Sequence, residues 1–225
     1  SGDANLAALK RLLAIPTVRA TIASQTLLFW VLGGLSVFLP LYVHRRFGLG
    51  VGSAATVAGG VLVVGGLIGT IGGGWLADRF ARHRPRASLE VGIIGMVAGA
   101  VFVAVSLLAS SLTLWVAPAL LATVGLYLYS APYTAVSQNV VIPSLRASVV
   151  MLTLLIAHLV GDSWSPTAVG FLSDSMHNLG AALLVSAPPV LLLAAATAAT
   201  GLRHIAADTR AMEEEWAGAS APAAS

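Results

Sequence analysis

Apolar residues in this chain neither alternate with polar ones nor form narrow stripes. They fill long blocks punctuated by charge, glycine and proline. A helix needs roughly 20 apolar residues to cross roughly 30 Å of hydrocarbon. Blocks of that order run from Ala20 to Val43, Ser53 to Ala77, Ser88 to Ala109, Thr113 to Val141, Ala147 to Leu172 and Gly180 to Leu202. Backbone in lipid must hydrogen-bond to itself, so each block predicts a membrane-spanning helix. A membrane barrel would instead show segments of about ten residues in strict alternation, and the sequence has none. Before the first block, Leu6 to Ile15 with Lys10 and Arg11 reads as a short amphipathic helix lying on the membrane surface and stopped by Pro16. From Glu213 onward the Ala/Ser/Pro-rich tail reads as disordered. The expected division is a cytoplasmic linker and interfacial helix over 1–16, a six-helix bundle over 17–205 and a cytoplasmic tail over 206–225.

Composition agrees with lipid as the solvent. Of 225 residues, 57% are hydrophobic and 9% charged, where soluble domains carry about 25% charged residues. The chain has no cysteine, which excludes a disulfide scaffold and thiolate metal sites. The first residues, Ser1 to Asn5, are polar and show no signal peptide; without an initiator Met they read as the middle of something larger. If both termini share one side, ten of the twelve Lys and Arg fall there: Lys10, Arg11, Arg19, Arg79, Arg82, Arg84, Arg86, Arg146, Arg203 and Arg210. Only Arg45 and Arg46 fall on the other side. The positive-inside rule then puts both ends in the cytoplasm, with a bacterial-type plasma (inner) membrane as the expected location. The net charge of +3 becomes a topology signal, with no nucleic-acid partner required.

The second block ends in Gly74-Trp75-Leu76-Ala77-Asp78 and the fifth in Gly170-Phe171-Leu172-Ser173-Asp174, a shared G-x-L-[AS]-D spaced 96 residues apart. Each closes the middle helix of a group of three, at opposite faces. Two three-helix units of inverted topology produce that arrangement, which is common in transporters. The second block also carries glycine on most of its faces, from Gly59 to Gly74. Glycine lets helix backbones approach closely in lipid; a second bundle is one expected source of such a neighbour, and ordinary tight packing explains the same residues equally well.

The run Gly74-Trp75-Leu76-Ala77-Asp78-Arg79-Phe80-Ala81-Arg82-His83-Arg84 resembles the loop signature of the major facilitator superfamily, with Ala81 where that signature has its second glycine. Pro16-Thr17, Gly33-Gly34, Phe47-Gly48-Leu49 and Gly161-Asp162-Ser163-Trp164-Ser165-Pro166, continuing to Ser173-Asp174, are similar to the C-terminal half of the Spinster family. The resemblance covers nearly the whole chain. It implies an all-α membrane protein, half of a twelve-helix secondary transporter that works by alternating access. The implied substrate is a lysophospholipid or sphingoid lipid, proton-coupled in some members, and the implied partner is an N-terminal six-helix half. The family's proton-handling carboxylate and arginine belong mostly to that other half. The resemblance also implies a conformational lock at the cytoplasmic rim, built from Gly74, Asp78, Arg79, Arg82 and Arg146.

From the residues themselves, Asp162 is the one carboxylate placed deep in a span, with His158 one turn earlier on the same face. Counted from Ala147 at about 1.5 Å per residue, they lie roughly 17 and 23 Å into the membrane. Charged groups there must pair or line a wet cavity, and a histidine beside a carboxylate can change charge near neutral pH. The plainer reading is that Asp162 satisfies backbone near Pro166. Gln25, Trp30, Tyr127, Tyr133, Ser137 and Gln138 are further candidates for a substrate path, and Gly33, Gly34, Pro40, Pro118, Pro132 and Pro166 for hinges. An enzyme is not expected: there is no G-x-S-x-G serine, and one deep carboxylate cannot form an aspartyl dyad. No cofactor is expected. A six-helix metal exporter using His158 and Asp162 is an alternative, short of two ligands for a four-coordinate site. A superfamily transporter of a sugar, organic acid or drug is the main rival, although apolar walls suit an amphipathic substrate.

Overall fold

The apolar blocks are helices in the structure, a computed structural model that describes residues 2–81, 84 and 86–220. In chain order they are α1 (Gly2–Ala14), α2 (Pro16–Phe47), α3 (Val51–Ala81), α4 (Ala87–Leu107), α5 (Leu112–Tyr127), α6 (Ser130–Asn139), α7 (Arg146–Ile156), α8 (Ser165–Met176), α9 (Leu179–Gly201) and α10 (Ile205–Ser220). A 3-10 turn, Pro143–Leu145, precedes α7, and a π-helical segment, Ala157–Asp162, joins α7 to α8. The fourth span is α5 with α6, and the fifth runs from the 3-10 turn through α8. Among the described residues, six stretches are thus long and apolar enough to cross a membrane.

Local chemistry sets the helix ends. Pro16 opens α2, where its fixed φ suits a helix and its missing N–H costs nothing. Ile15 offers no side-chain cap, and Asp208 of α10 supplies one instead, accepting the Thr17 N–H at 2.8 Å. At the other end of α2 the chain reverses through Gly48, whose φ of 69° is left-handed. Ser111 caps α5 and Asn178 caps α9 through their side-chain oxygens.

One end of the bundle gathers the turns at 48–50, 108–111 and 177–178. There the Tyr42 hydroxyl donates to the Leu107 carbonyl at 2.9 Å, and Arg46 donates to the Ala109 carbonyl at 3.1 Å. The opposite end gathers α1, α10 and the start of α2, joined by the Asp208 cap and an Arg11–Glu215 ion pair. These bonds explain why the expected disorder from Glu213 is replaced by helix as far as Ser220: the acidic face of α10 has partners on α1 and α2. Residues 221–225 lie outside the described residues.

The packing is reciprocal. α2 runs along α9 as α4 runs along α5; α3 leans on α5 as α2 leans on the π segment and α8; α4 meets α9 between them. Matching α2–α4 to α5–α9 maps each pairing onto its counterpart. Three spans is an odd number, so the second unit runs inverted relative to the first.

The glycine-rich second span has one close neighbour inside this bundle. A Cβ built on Gly69 would stand 2.5 Å from the Val124 carbonyl oxygen, and one on Gly65 would stand 2.6 Å from Cβ of Thr123. Gly73 meets the Leu128 carbonyl in the same way. The 65/69/73 spacing is a single stripe of α3, laid against α5. α4 reaches α5 through Gly95 and Gly125, each facing the other's carbonyl. On the outward side of α3, Val63, Val64, Leu67, Ile68 and Ile71 are exposed, and Gly60 has no heavy atom within 4 Å of a built Cβ.

Gly69→Val is therefore expected to destabilise the bundle by about 2 kcal/mol or more, the scale of forced overpacking against backbone. Gly60→Val is expected to leave stability nearly unchanged. Thermal unfolding in detergent compares the two.

Candidate functional site

Pro166 has no N–H, and its ring opposes the carbonyl four residues earlier, that of Asp162. A regular helix cannot pass, and in lipid the freed groups need partners. The chain widens one turn. Ser163 N–H reaches back five residues to the His158 carbonyl at 3.2 Å, and Ser163 Oγ donates to the same oxygen at 2.6 Å. Ser165 Oγ donates to the Asp162 carbonyl at 3.2 Å. The plainer expectation for Asp162, a side chain spent on backbone, is not what forms: neighbouring serines satisfy the backbone and leave the carboxylate free.

That carboxylate accepts from His158. Nδ1 lies 2.7 Å from Asp162 Oδ2, and the His158 ring meets Phe29 edge-on with centroids 4.9 Å apart. The side chains are 60% and 31% exposed, so the pair stands on a face that these six spans leave open. Two glycines hold α2 against the widened turn. A Cβ on Gly33 would be 2.5 Å from Ser165 Oγ and 2.7 Å from Asp162 Cβ; one on Gly161 would be 2.6 Å from the Thr26 carbonyl oxygen. Gly34 faces the Val169 methyl more loosely, at 3.2 Å. In this conformation Gly33, expected as a hinge, is a point of contact between α2 and the fifth span.

Beside the pair, and bordered by the same Phe29, a groove of about 170 Å³ lies between α2, α6 and α7. Gln25, Tyr129, Ser130, Thr134, Ser137 and Thr153 supply its polar wall. Ser137 also meets Thr21 across the helices at 3.3 Å. Of the expected path residues, Gln25 and Ser137 line this groove. Trp30 is half-buried, with its backbone beside Gly161, and Gln138 is half-buried outside the groove wall. Tyr133 is 1% exposed with its ring against Gly92, and Tyr127 packs over Gly66 of α3. Both tyrosines serve helix packing here rather than the groove, because each ring fills the space left by a missing Cβ. Tyr129, Ser130, Thr134 and Thr153 were not anticipated. Ser130, Thr134 and Ser137 fall at i, i+4, i+7, a polar stripe that the sequence does contain.

Pro132 breaks the fourth span as Pro166 breaks the fifth. Its ring sits one turn past Leu128, whose carbonyl is the one that Gly73 approaches. At the rim of the end that holds the termini, Asp78, Arg79 and Arg146 are exposed, and Gly74 packs on Ala131. Asp78 and Arg146 form no ion pair with each other in this conformation. Arg82 lies outside the described residues. Among the described residues no third His, Asp or Glu joins His158 and Asp162.

The family described as Organic Anion Transporter Polypeptide (OATP) matches residues 4–117. Protein spinster homolog 1 of Xenopus laevis is 28% identical over 184 residues, covering 76% of this chain and 35% of the relative. The sphingosine-1-phosphate transporter SPNS2 of Xenopus tropicalis is 28% identical over 174 residues, covering 72% and 34%. Among solved structures, a bacterial homologue of the human lysosomal transporter Spinster, inward-facing and unoccupied, superposes with a TM-score of 0.67 at 20% identity, over 97% of this chain and 52% of that one. The fold is half of a major facilitator fold. The chain spans about a third of the length of these curated relatives.

With Asp162 ionised, the His158 proton on the inner nitrogen has a fixed acceptor, so neutral His158 is expected to be held as the Nδ1–H tautomer. In ¹⁵N spectra of histidine-labelled protein, Asp162→Asn is expected to shift the His158 ring signals and leave His177 unmoved.

Proposed function

The chain belongs to the Organic Anion Transporter Polypeptide (OATP) family and is an integral, multi-pass membrane protein, and on that footing we propose that it is the C-terminal half of a secondary transporter that moves a lysophospholipid or sphingoid lipid by alternating access. The observation that carries this reading is the composition of the groove and the pair beside it. Buried Ser137 and Gln25 line the groove with apolar Phe29, Val150 and Leu154, and Phe29 also meets His158 of the exposed pair. An amphiphile needs that combination: hydrogen-bonding groups for its head and apolar surface for its chain. The similar sphingosine-1-phosphate transporter of Xenopus tropicalis is named for a substrate of this kind.

In this reading the partner is an N-terminal six-helix half, facing the open side of α2, α6 and the π segment. His158 and Asp162 are the groups on this half through which pH acts on transport, because they are the ionisable pair that stands beside the path. The end with α1, α10 and most of the basic residues is cytoplasmic, in a plasma membrane of bacterial type. Asp78, Arg79, Arg82 and Arg146 close the cytoplasmic rim in one access state, with Asp78 and Arg146 meeting there and parting in the conformation described above. Gly34, Pro132 and Pro166 mark where the spans bend between states.

Two experiments test this. In vesicles containing the intact transporter, labelled lysophospholipid is expected to move faster under a pH gradient. A His158→Ala, Asp162→Asn double variant is expected to lower the rate about a hundredfold and flatten its pH profile, the lower end of the scale on which a positioned proton-handling group acts. No lysolipid movement, with transport of a sugar, acid or drug instead, would replace the substrate and keep the transporter. For the rim, Asp78→Asn is expected to change the ratio of inward to outward states in double electron–electron resonance distances. An unchanged ratio would remove the lock.

A further inference from the structure

At the end of the bundle away from the termini, a cavity of about 490 Å³ opens between α2, α9 and the turn after α4. Its polar lining comes from Arg45, Arg46, His177, Asn178 and Tyr42, and its apolar lining includes Leu107, Leu108 and Leu184. No carboxylate lines it. This cavity is separate from the groove beside His158 and shares no lining residue with it.

Three observations set the cavity apart. Among the described residues every other Lys and Arg lies toward the opposite end, so Arg45 and Arg46 run against the charge segregation that governs the rest of the sequence. Arg46 is tied to the Ala109 carbonyl, whereas Arg45 is exposed and has no hydrogen bond or ion pair among the described residues. His177 holds a left-handed backbone, φ 50°, a conformation that costs a side chain other than glycine or asparagine. That conformation ends α8 and lets Asn178 start α9 at once, with Asn178 Oδ1 taking the Ala181 N–H at 3.0 Å. The amides of Leu179 and Gly180, in the same first turn, have no intrahelical acceptor.

We propose that this cavity binds a phosphate-bearing anion, with Arg45 as the principal contact. Guanidinium forks match phosphate oxygens, a histidine adds a donor, and the start of α9 adds partial positive charge. The leucines around the basic groups would receive the first carbons of an attached chain. A phospholipid headgroup and a free phosphate ester present the same chemistry, and the test separates them.

The intact protein in detergent is titrated with dioctanoyl phosphatidate, with inorganic phosphate and with dioctanoylglycerol, using microscale thermophoresis. Saturable binding of phosphatidate is expected, weakened at least tenfold by Arg45→Gln and unaffected by Arg203→Gln at the opposite end. Arg45 makes no hydrogen bond or ion pair among the described residues, so its variant tests binding rather than folding; Arg46→Gln, which also frees the Ala109 carbonyl, serves as a second variant. Binding of inorganic phosphate with the same Arg45 dependence would support the site and make its ligand a soluble ester, and binding of phosphatidate alone would make it a lipid. Absence of saturable binding by either, equal binding of dioctanoylglycerol, or affinity indifferent to Arg45→Gln would overturn the proposal.

Discussion

Helices surrounded by lipid gain nothing by hiding apolar side chains from one another, because the lipid is equally apolar. What remains is contact, and contact is closest where no Cβ intervenes. Gly65, Gly69 and Gly73 bring α3 onto α5, Gly95 and Gly125 bring α4 onto the same helix, and Gly33 and Gly161 bring α2 onto the fifth span. In five of these seven places the nearest atom to a built Cβ is a backbone carbonyl oxygen. The bundle's neighbour relations follow from where side chains are missing more than from where they are large.

The proline breaks make sense under the same constraint. A proline inside a span leaves a carbonyl without its helix donor, and lipid supplies none. At Pro166 the answer is a widened turn with serines bonding inward, and Gly33 packs where that turn bulges. At Pro132 the helix divides, and Gly73 approaches the loosened Leu128 carbonyl. Each irregularity is thus covered by a glycine from another helix. The polar pair and the groove both sit beside such covered breaks, where backbone is already wider than a regular helix allows.

Much of this was legible in the sequence, for reasons that differ by feature. The six spans could be read because the hydrocarbon thickness fixes a minimum apolar length; the first outruns its apolar block at both ends, since α2 continues through polar residues from Pro16 to Phe47. The His158–Asp162 bond followed from four-residue spacing, and the widened turn preserves it. Glycine content announced close neighbours without saying which helix they were. The tyrosines misled because a phenol in a span can as well fill a gap as face a path. Tyr133 fills one. Ser130, Thr134 and Thr153 passed unnoticed because small hydroxyl residues are ordinary in spans, where they bond to their own helix, as Thr153 does to Val149. The fate of the tail was invisible for a different reason: Asp208 and Glu215 gain meaning only from α1 and α2, 191 and 204 residues away in sequence.

The widened turn at Ala157–Asp162 also has a bearing on how such chains change over evolution. A π turn is a single residue in excess of the helical repeat, accommodated without disturbing the turns on either side. Each residue of a helix rotates the next by roughly 100°, so losing that excess residue would swing all of α8 about its axis. Val169, now buried against Gly34, would turn away, and Ser173 and Asp174 would face another direction. Insertions and deletions are usually absorbed in loops. Within this span a one-residue change in length would act instead as a rotation, and homologues that differ there should be aligned by face rather than by position.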